Sequence, residues 1–345
     1  MKKKEEGILL IYTGGTIGMV KDEVTGTLAP FDFNNISDRI PELLRFGFRI
    51  DTVQFKSPVD SSNIHPGFWV EIADIIEENY DKYMGFVVLH GTDTMAFSAS
   101  ALSFMLENLS KPVIFTGAQL PIGSLRTDGK ENLITAVEIA AARQNGKPVV
   151  PEVCIYFEFK LYRGNRTNKV NAEHFNAFQS ANYPYLAKAG VELVYNREFI
   201  RYPKKIEPLI VHRKFSDQIT IVKMFPGINA RYLDAIFGID DLRAVILGTY
   251  GAGNAPSEEW FVSRVKKAVD RGILILDVTQ CSRGSVELGR YETSRTLMEA
   301  GVLSGYDITT EAATTKLMIL LAQDLSNTEI KILLNKSLKG EITFH

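Results

Sequence analysis

The sequence predicts a two-domain α/β protein. Each domain has a mostly parallel sheet flanked by helices, and the larger N-terminal domain is Rossmann- or flavodoxin-like. Short apolar runs bounded by Gly, Pro or charge recur along the chain, as strands buried on both faces of a parallel sheet do. Helix-length segments with apolar residues at three- and four-residue spacing lie between them. The length, 345 residues, also exceeds what one ordinary core encloses.

The first run, 8–12, is a strand: it is shorter than a signal-peptide core and ends in Thr13-Gly14-Gly15. Further strands are predicted at 86–89, 113–115, 149–157, 244–247 and 273–278. Helical spacing is carried by Phe68, Trp69, Ile72, Ile76 and Tyr80, by Leu133, Ala136, Val137 and Ala140, and by Trp260, Phe261, Val265 and Ala268. The stretch 194–208 is charged, holds two prolines and follows neither period, which marks a linker. The predicted division is a catalytic domain over 1–193, a linker over 194–212 and a C-terminal α/β domain over 213–345.

Composition narrows the class. Hydrophobic residues at 45% and charged residues at 23% suit an ordinary globular protein. A net charge of −2 argues against a nucleic-acid partner, which requires a concentrated basic surface. The basic runs Lys2-Lys3-Lys4 and Lys204-Lys205 read as solvated ends or turns. Cys154 and Cys281 are too few for a disulfide framework and favour a reducing compartment. With no apolar stretch near membrane-span length, the expectation is a cytoplasmic protein without a membrane partner.

In open parallel sheets ligands bind beyond the carboxyl ends of the strands, so the residues after each run carry the information. The first run enters Gly14-Gly15-Thr16-Ile17-Gly18. The glycines permit a tight turn and close backbone approach, presenting a Thr16 hydroxyl that attacks a carbonyl once a base takes its proton. The spacing does not fit a dinucleotide loop, and no helical pattern follows directly. The run 86–89 enters His90-Gly91-Thr92-Asp93-Thr94-Met95. Thr and Asp are good helix N-caps, but the pair exceeds what capping needs; a carboxylate there can hold an ammonium or orient a lysine. After 149–157 comes Arg163-Gly164-Asn165-Arg166-Thr167-Asn168-Lys169. Such a lysine is usually a surface charge and becomes catalytic only when burial or a carboxylate sets its pKa and position. Asp93 is the candidate carboxylate.

Together these three segments resemble the bacterial L-asparaginases. The Lys169 segment and Ala101-Leu102-Ser103-Phe104-Met105-Leu106-Glu107-Asn108 are similar to the cytosolic type I enzymes. The likeness continues through Asp60-Ser61-Ser62-Asn63, Tyr250-Gly251-Ala252-Gly253-Asn254-Ala255-Pro256 and Thr279-Gln280-Cys281, and so covers nearly the whole chain in order. The resemblance implies an amidohydrolase that cleaves L-asparagine to L-aspartate and ammonia, without metal or cofactor. It implies Thr16 as nucleophile and Thr92, Asp93 and Lys169 as a second catalytic cluster. It implies substrate contacts from Gly15, Asp60, Ser61, Ser62, Gly91, Thr92, Asp93 and Asn254. Asn254 would act across a subunit interface, in a homodimer or homotetramer.

Two departures stand out. Exported-type relatives and some cytosolic ones place a tyrosine in the loop after the first strand, whereas this chain reads Thr25-Gly26-Thr27-Leu28-Ala29-Pro30 and has no tyrosine between Tyr12 and Tyr80. Thr27, a water or Tyr12 is left to serve Thr16. Cys281 matches a residue lining an effector asparagine site in regulated relatives, but Gly248 stands where those relatives carry an arginine, the natural partner of an effector carboxylate. Simple hyperbolic kinetics are therefore expected. Two rival readings are an ammonia-producing subunit of a tRNA-dependent amidotransferase and a non-catalytic amino-acid-binding protein on the same fold. Against the first, the chain begins almost directly with its first strand; against the second, it retains Thr16, Thr92, Asp93 and Lys169 together.

Overall fold

A computed structural model describes residues 7–21, 28–30, 36 and 40–344. The chain divides into a unit spanning Met1–His212 and a unit spanning Arg213–His345.

The first unit is built on an eight-stranded sheet among the described residues. In chain order its strands are β1 Gly7–Tyr12, β2 Arg49–Gln54, β3 Gly85–Leu89, β4 Val113–Thr116, β5 Val153–Phe157, β6 Lys160–Arg163, β7 Ala187–Ala189 and β8 Leu193–Tyr195. They lie in the order β8-β7-β6-β5-β4-β3-β1-β2. The pairs from β2 through β5 are parallel, and those from β5 to β8 are antiparallel. Strands β1 and β3 are buried along their whole length, which is why they read as uninterrupted apolar runs. The order reverses between β1 and β3, and this switch point is where such sheets open a ligand crevice.

Helix α1, Pro66–Asn79, starts with Pro in its first turn and buries Trp69, Ile72, Ala73 and Ile76. Helix α2, Met95–Met105, is buried almost all round, as its weak amphipathicity requires. Helix α3, Gly129–Ala141, turns Leu133, Ala136, Val137 and Ala140 inward. These four pack into one core with Ile8, Leu10, Val87 and Ile114. Each fully buried Leu, Ile or Val there stabilises the fold by roughly 1.5–3 kcal/mol.

The second unit carries four parallel strands, β9 Ile219–Lys223, β10 Ala244–Thr249, β11 Leu274–Thr279 and β12 Leu303–Ser304, paired in that order. Helices α4 Ala230–Phe237, α5 Glu259–Asp270, α6 Glu292–Glu299, α7 Thr310–Leu321 and α8 Asn327–Leu334 surround them. Helix α5 buries Phe261, Val265 and Ala268, the positions its spacing picks out. The chain end is fastened by a fully buried ion pair, Lys316 to Glu341 at 2.7 Å. Glu341 also accepts the backbone N–H groups of Leu338 and Lys339.

Several expectations shift. The predicted strand 149–157 begins only at Val153, because Pro151 has no N–H to give a ladder. The segment expected as a linker, 194–212, instead belongs to the first unit. Leu193–Tyr195 forms the sheet edge, and Ile210–Val211 pairs antiparallel with Leu106–Glu107. Strand β2 was not foreseen. It reads Arg-Ile-Asp-Thr-Val-Gln and lies half exposed at the other edge, so it shows alternation with charge rather than an apolar run.

Candidate active site

Four strand ends of the first unit are stitched together at the switch point. Both the N–H and the hydroxyl of Thr13 donate to the Leu89 carbonyl, each at 3.0 Å. Val59 N–H donates to the Thr13 carbonyl at 2.9 Å, and His90 N–H to the Thr116 carbonyl at 3.0 Å. The loops after β1, β2, β3 and β4 are thereby held side by side.

Glycine makes this closeness possible. Gly14 and Gly15 have φ of 135° and 85°, conformations that favour glycine. A Cβ on Gly14 would lie 2.2 Å from the Val59 carbonyl oxygen, and one on Gly15 would lie 2.5 Å from the Gly91 Cα. The turn bearing Thr16 therefore lies backbone to backbone against the turn bearing Thr92. Thr16 opens a short 3-10 turn, Thr16–Gly18, and is partly exposed.

Lys169 lies on a short strand, Asn168–Lys169, paired with Phe178–Gln179. Its Nζ donates to Thr92 Oγ1 at 2.8 Å and to Asp93 Oδ1 at 2.7 Å. The Lys169 side chain is 17% exposed and that of Asp93 62%, so one end of the pair is sheltered and the other open to a ligand. The Thr92 hydroxyl accepts from the lysine and passes its own hydrogen to Gln119 Oε1 at 3.3 Å. The Gln119 amide nitrogen donates onward to the carbonyls of Ala172 and His174. Asp128 accepts the backbone N–H of Gln119 and of Leu120. Neither Gln119 nor Asp128 was singled out from the sequence; the available signal was a polar residue soon after the β4 strand end.

Asp60 caps the turn Ser61–Asn63, accepting both the N–H and the hydroxyl of Ser62 at 2.9 Å. Those bonds hold its carboxyl below the usual range. Ser61 is buried, and a Cβ on Gly91 would lie 2.6 Å from its Oγ. Gly91 is thus required by close approach. Ser62 is exposed. The Thr94 hydroxyl donates to the Ser61 carbonyl at 2.7 Å, tying this turn to the Thr92 turn.

Of the candidates to serve Thr16, Thr27 lies outside the described residues. Tyr12 packs its ring against Gly18, where a Cβ would lie 2.2 Å from the phenol oxygen. Burial pushes the Tyr12 phenol up to about 12, so at neutral pH it is protonated and does not act as a phenolate base.

In the second unit the Tyr250–Asn254 turn closes by paired backbone bonds, and Asn254 Oδ1 accepts from the Thr293 hydroxyl at 2.8 Å. Cys281 is exposed, and its N–H donates to Thr279 Oγ1, which itself donates to the Gly251 carbonyl. Beneath the turn lies Asp277, fully buried, with Oδ1 accepting the Thr249 hydroxyl at 2.6 Å. Its Oδ2 has no hydrogen-bond partner among the described residues. That oxygen is packed beside Gly253 with Val286 and Leu288. Burial pushes the carboxyl up from 3.8 to about 7, opposed by the Thr249 bond. A raised folded value favours the protonated form in the native state. That contribution is complete below the unfolded value and is lost as pH rises through 7. Asp277→Asn, neutral at every pH, is expected to flatten the decline of melting temperature between about pH 4 and pH 8. It should also melt several degrees above the wild type at the alkaline end. An unchanged slope would show that Asp277 does not titrate there.

Residues 7–201 match the family described as Asparaginase, N-terminal, and residues 218–334 match the Glutaminase/Asparaginase C-terminal domain. The chain is 42% identical over 344 residues to L-asparaginase 1 of Escherichia coli K12, with 99% of each chain covered. Among solved structures it is similar to L-asparaginase I of Vibrio cholerae, with TM-score 0.89, 40% identity and 98% and 99% of the two chains covered. It is also similar to the thermostable L-asparaginase of Thermococcus kodakarensis, with TM-score 0.87, 33% identity and 99% and 100% covered. Among the described residues no helix is long and apolar enough to cross a membrane.

Proposed function

The chain belongs to the asparaginase family and is an amidohydrolase acting on asparagine, and from that premise we propose that Thr16 carries the reaction as an acyl-enzyme. The Thr16 Oγ attacks the side-chain amide carbon of asparagine. Its proton passes to the leaving nitrogen, the C–N bond breaks and ammonia departs. Water then adds to the aspartyl ester, Thr16 Oγ recovers a proton and aspartate leaves. Dividing amide cleavage in this way replaces one difficult step by two easier ones.

The observation that carries this reading is that Lys169 Nζ is held between Thr92 Oγ1 and Asp93 Oδ1, and that the turn bearing Thr92 and Asp93 abuts the Thr16 turn at Gly15 and Gly91. A lysine ammonium donating to a hydroxyl makes that hydroxyl a better proton donor, suited to moving protons and guiding water. The open side of Asp93 suits the substrate ammonium, and Ser61 and Ser62 the α-carboxylate. Asn254 completes the site of a neighbouring subunit in a dimer or tetramer, and the enzyme works in the cytoplasm.

The purified chain should release ammonia from L-asparagine along a hyperbolic rate curve, in keeping with Gly248 standing where regulated relatives carry an arginine. No release would overturn the functional reading. A sigmoidal curve abolished by Cys281→Ala would assign an effector site instead.

A further inference from the structure

A chain of buried hydrogen bonds runs from the core of the first unit to the Thr92 turn, and every direction in it is forced. Trp69 Nε1 is a donor only and reaches Ser98 Oγ at 3.0 Å. The Gly91 carbonyl is an acceptor only and lies 2.7 Å from His90 Nδ1, so the hydrogen sits on Nδ1. Full burial pushes the His90 imidazole down to about 4, and the ring is neutral. Its Nε2 is then an acceptor and takes the Ser98 hydroxyl hydrogen at 2.9 Å. Trp69, Ser98 and His90 are 5%, 0% and 1% exposed, so water does not compete for these bonds.

The consequence falls on one peptide plane. The Gly91 carbonyl and the Thr92 N–H belong to the same trans peptide and point in opposite directions. Holding the carbonyl toward the buried imidazole turns the N–H away from the core. That N–H has no hydrogen-bond partner among the described residues. We infer that His90 is a positioning residue, whose Nδ1–H fixes the Gly91–Thr92 peptide so that the Thr92 N–H is aimed in advance at the oxyanion formed on the asparagine amide. This rests on the functional reading above. A donor set before the substrate arrives needs no reorganisation during reaction, which is where such groups gain their effect.

Asparagine and leucine have nearly the same shape, and an asparagine side chain can place an N–H where the histidine has Nδ1. His90→Leu is expected to lower kcat about a hundredfold, the usual scale for loss of one oxyanion donor, while KM changes by less than about threefold. His90→Asn should retain most of the lost kcat. Equal kcat in the two variants, or greater activity in the leucine variant, would reduce His90 to a core filler. Should both fail to fold, Ser98→Ala reads the far end of the chain: kcat should fall about tenfold at steady KM, and wild-type kcat would overturn the proposal. Nitrogen-15 spectra of the substrate-free wild type should show protonated Nδ1 and bare Nε2 on His90. An Nε2–H tautomer would sink the chain of bonds even in an active enzyme. Absence of ammonia release with the expected tautomer would instead sink the functional reading.

Discussion

Thr16→Ala is expected to lower kcat by at least about a thousandfold, as removal of a nucleophile does when its neighbours remain, while the protein folds as before. The fold should survive because the turn does not depend on the Thr16 side chain. Its shape is set by the positive φ of Gly14 and Gly15 and by the Gly18 N–H bonding to the Gly15 carbonyl. Truncation removes a partly exposed hydroxyl and a methyl, a small loss of buried surface. The residual rate should be that of a site still able to bind and polarise the amide but without a group to take the acyl chain. Turnover within about tenfold of wild type would remove Thr16 from the mechanism.

Lys169→Met is expected to lower kcat at least about a hundredfold, within the range assigned to positioned proton-transfer groups. Methionine keeps much of the length and apolar stem but cannot donate to Thr92 Oγ1 or Asp93 Oδ1. A carboxylate abandoned in a dry site would cost several kcal/mol. Here, however, the Asp93 side chain is 62% exposed, so water resolvates it and the stability change should stay below about 1 kcal/mol. Collapse of activity with a nearly unchanged melting temperature is thus the expected signature. A variant that turns over like the wild type would make Lys169 an ordinary surface charge.

The contrast between these two residues also shows what could be read from the sequence. The turn that carries Thr16 was legible because glycines at a strand end announce close backbone approach, and β1 and β3 were legible because burial on both faces leaves no charged residue in them. Asp93 was a candidate partner for Lys169 by chemistry alone, although 76 residues separate them. Gln119 and Asp128 were not legible, because their place in the network lies in which distant groups they reach: the Thr92 hydroxyl for Gln119, and the backbone N–H groups of Gln119 and Leu120 for Asp128. Strand β2 and strand β8 hid for the opposite reason to β1: sheet edges meet solvent, and a charged or proline-flanked sequence does not exclude pairing there. The Asp60 carboxylate, expected among the substrate contacts, accepts both the N–H and the hydroxyl of Ser62. Those bonds hold the turn that carries Ser61 and Ser62.

Trapping the acyl group measures directly which residue carries it. Wild-type enzyme mixed with L-asparagine and quenched in acid within a single turnover should yield, after digestion, a peptide containing Thr16 that carries an aspartyl ester through the side-chain carbonyl. The same peptide from Thr16→Ala should be unmodified. An ester found on Thr92, or ammonia released in a burst without any ester on Thr16, would contradict the assignment of the nucleophile.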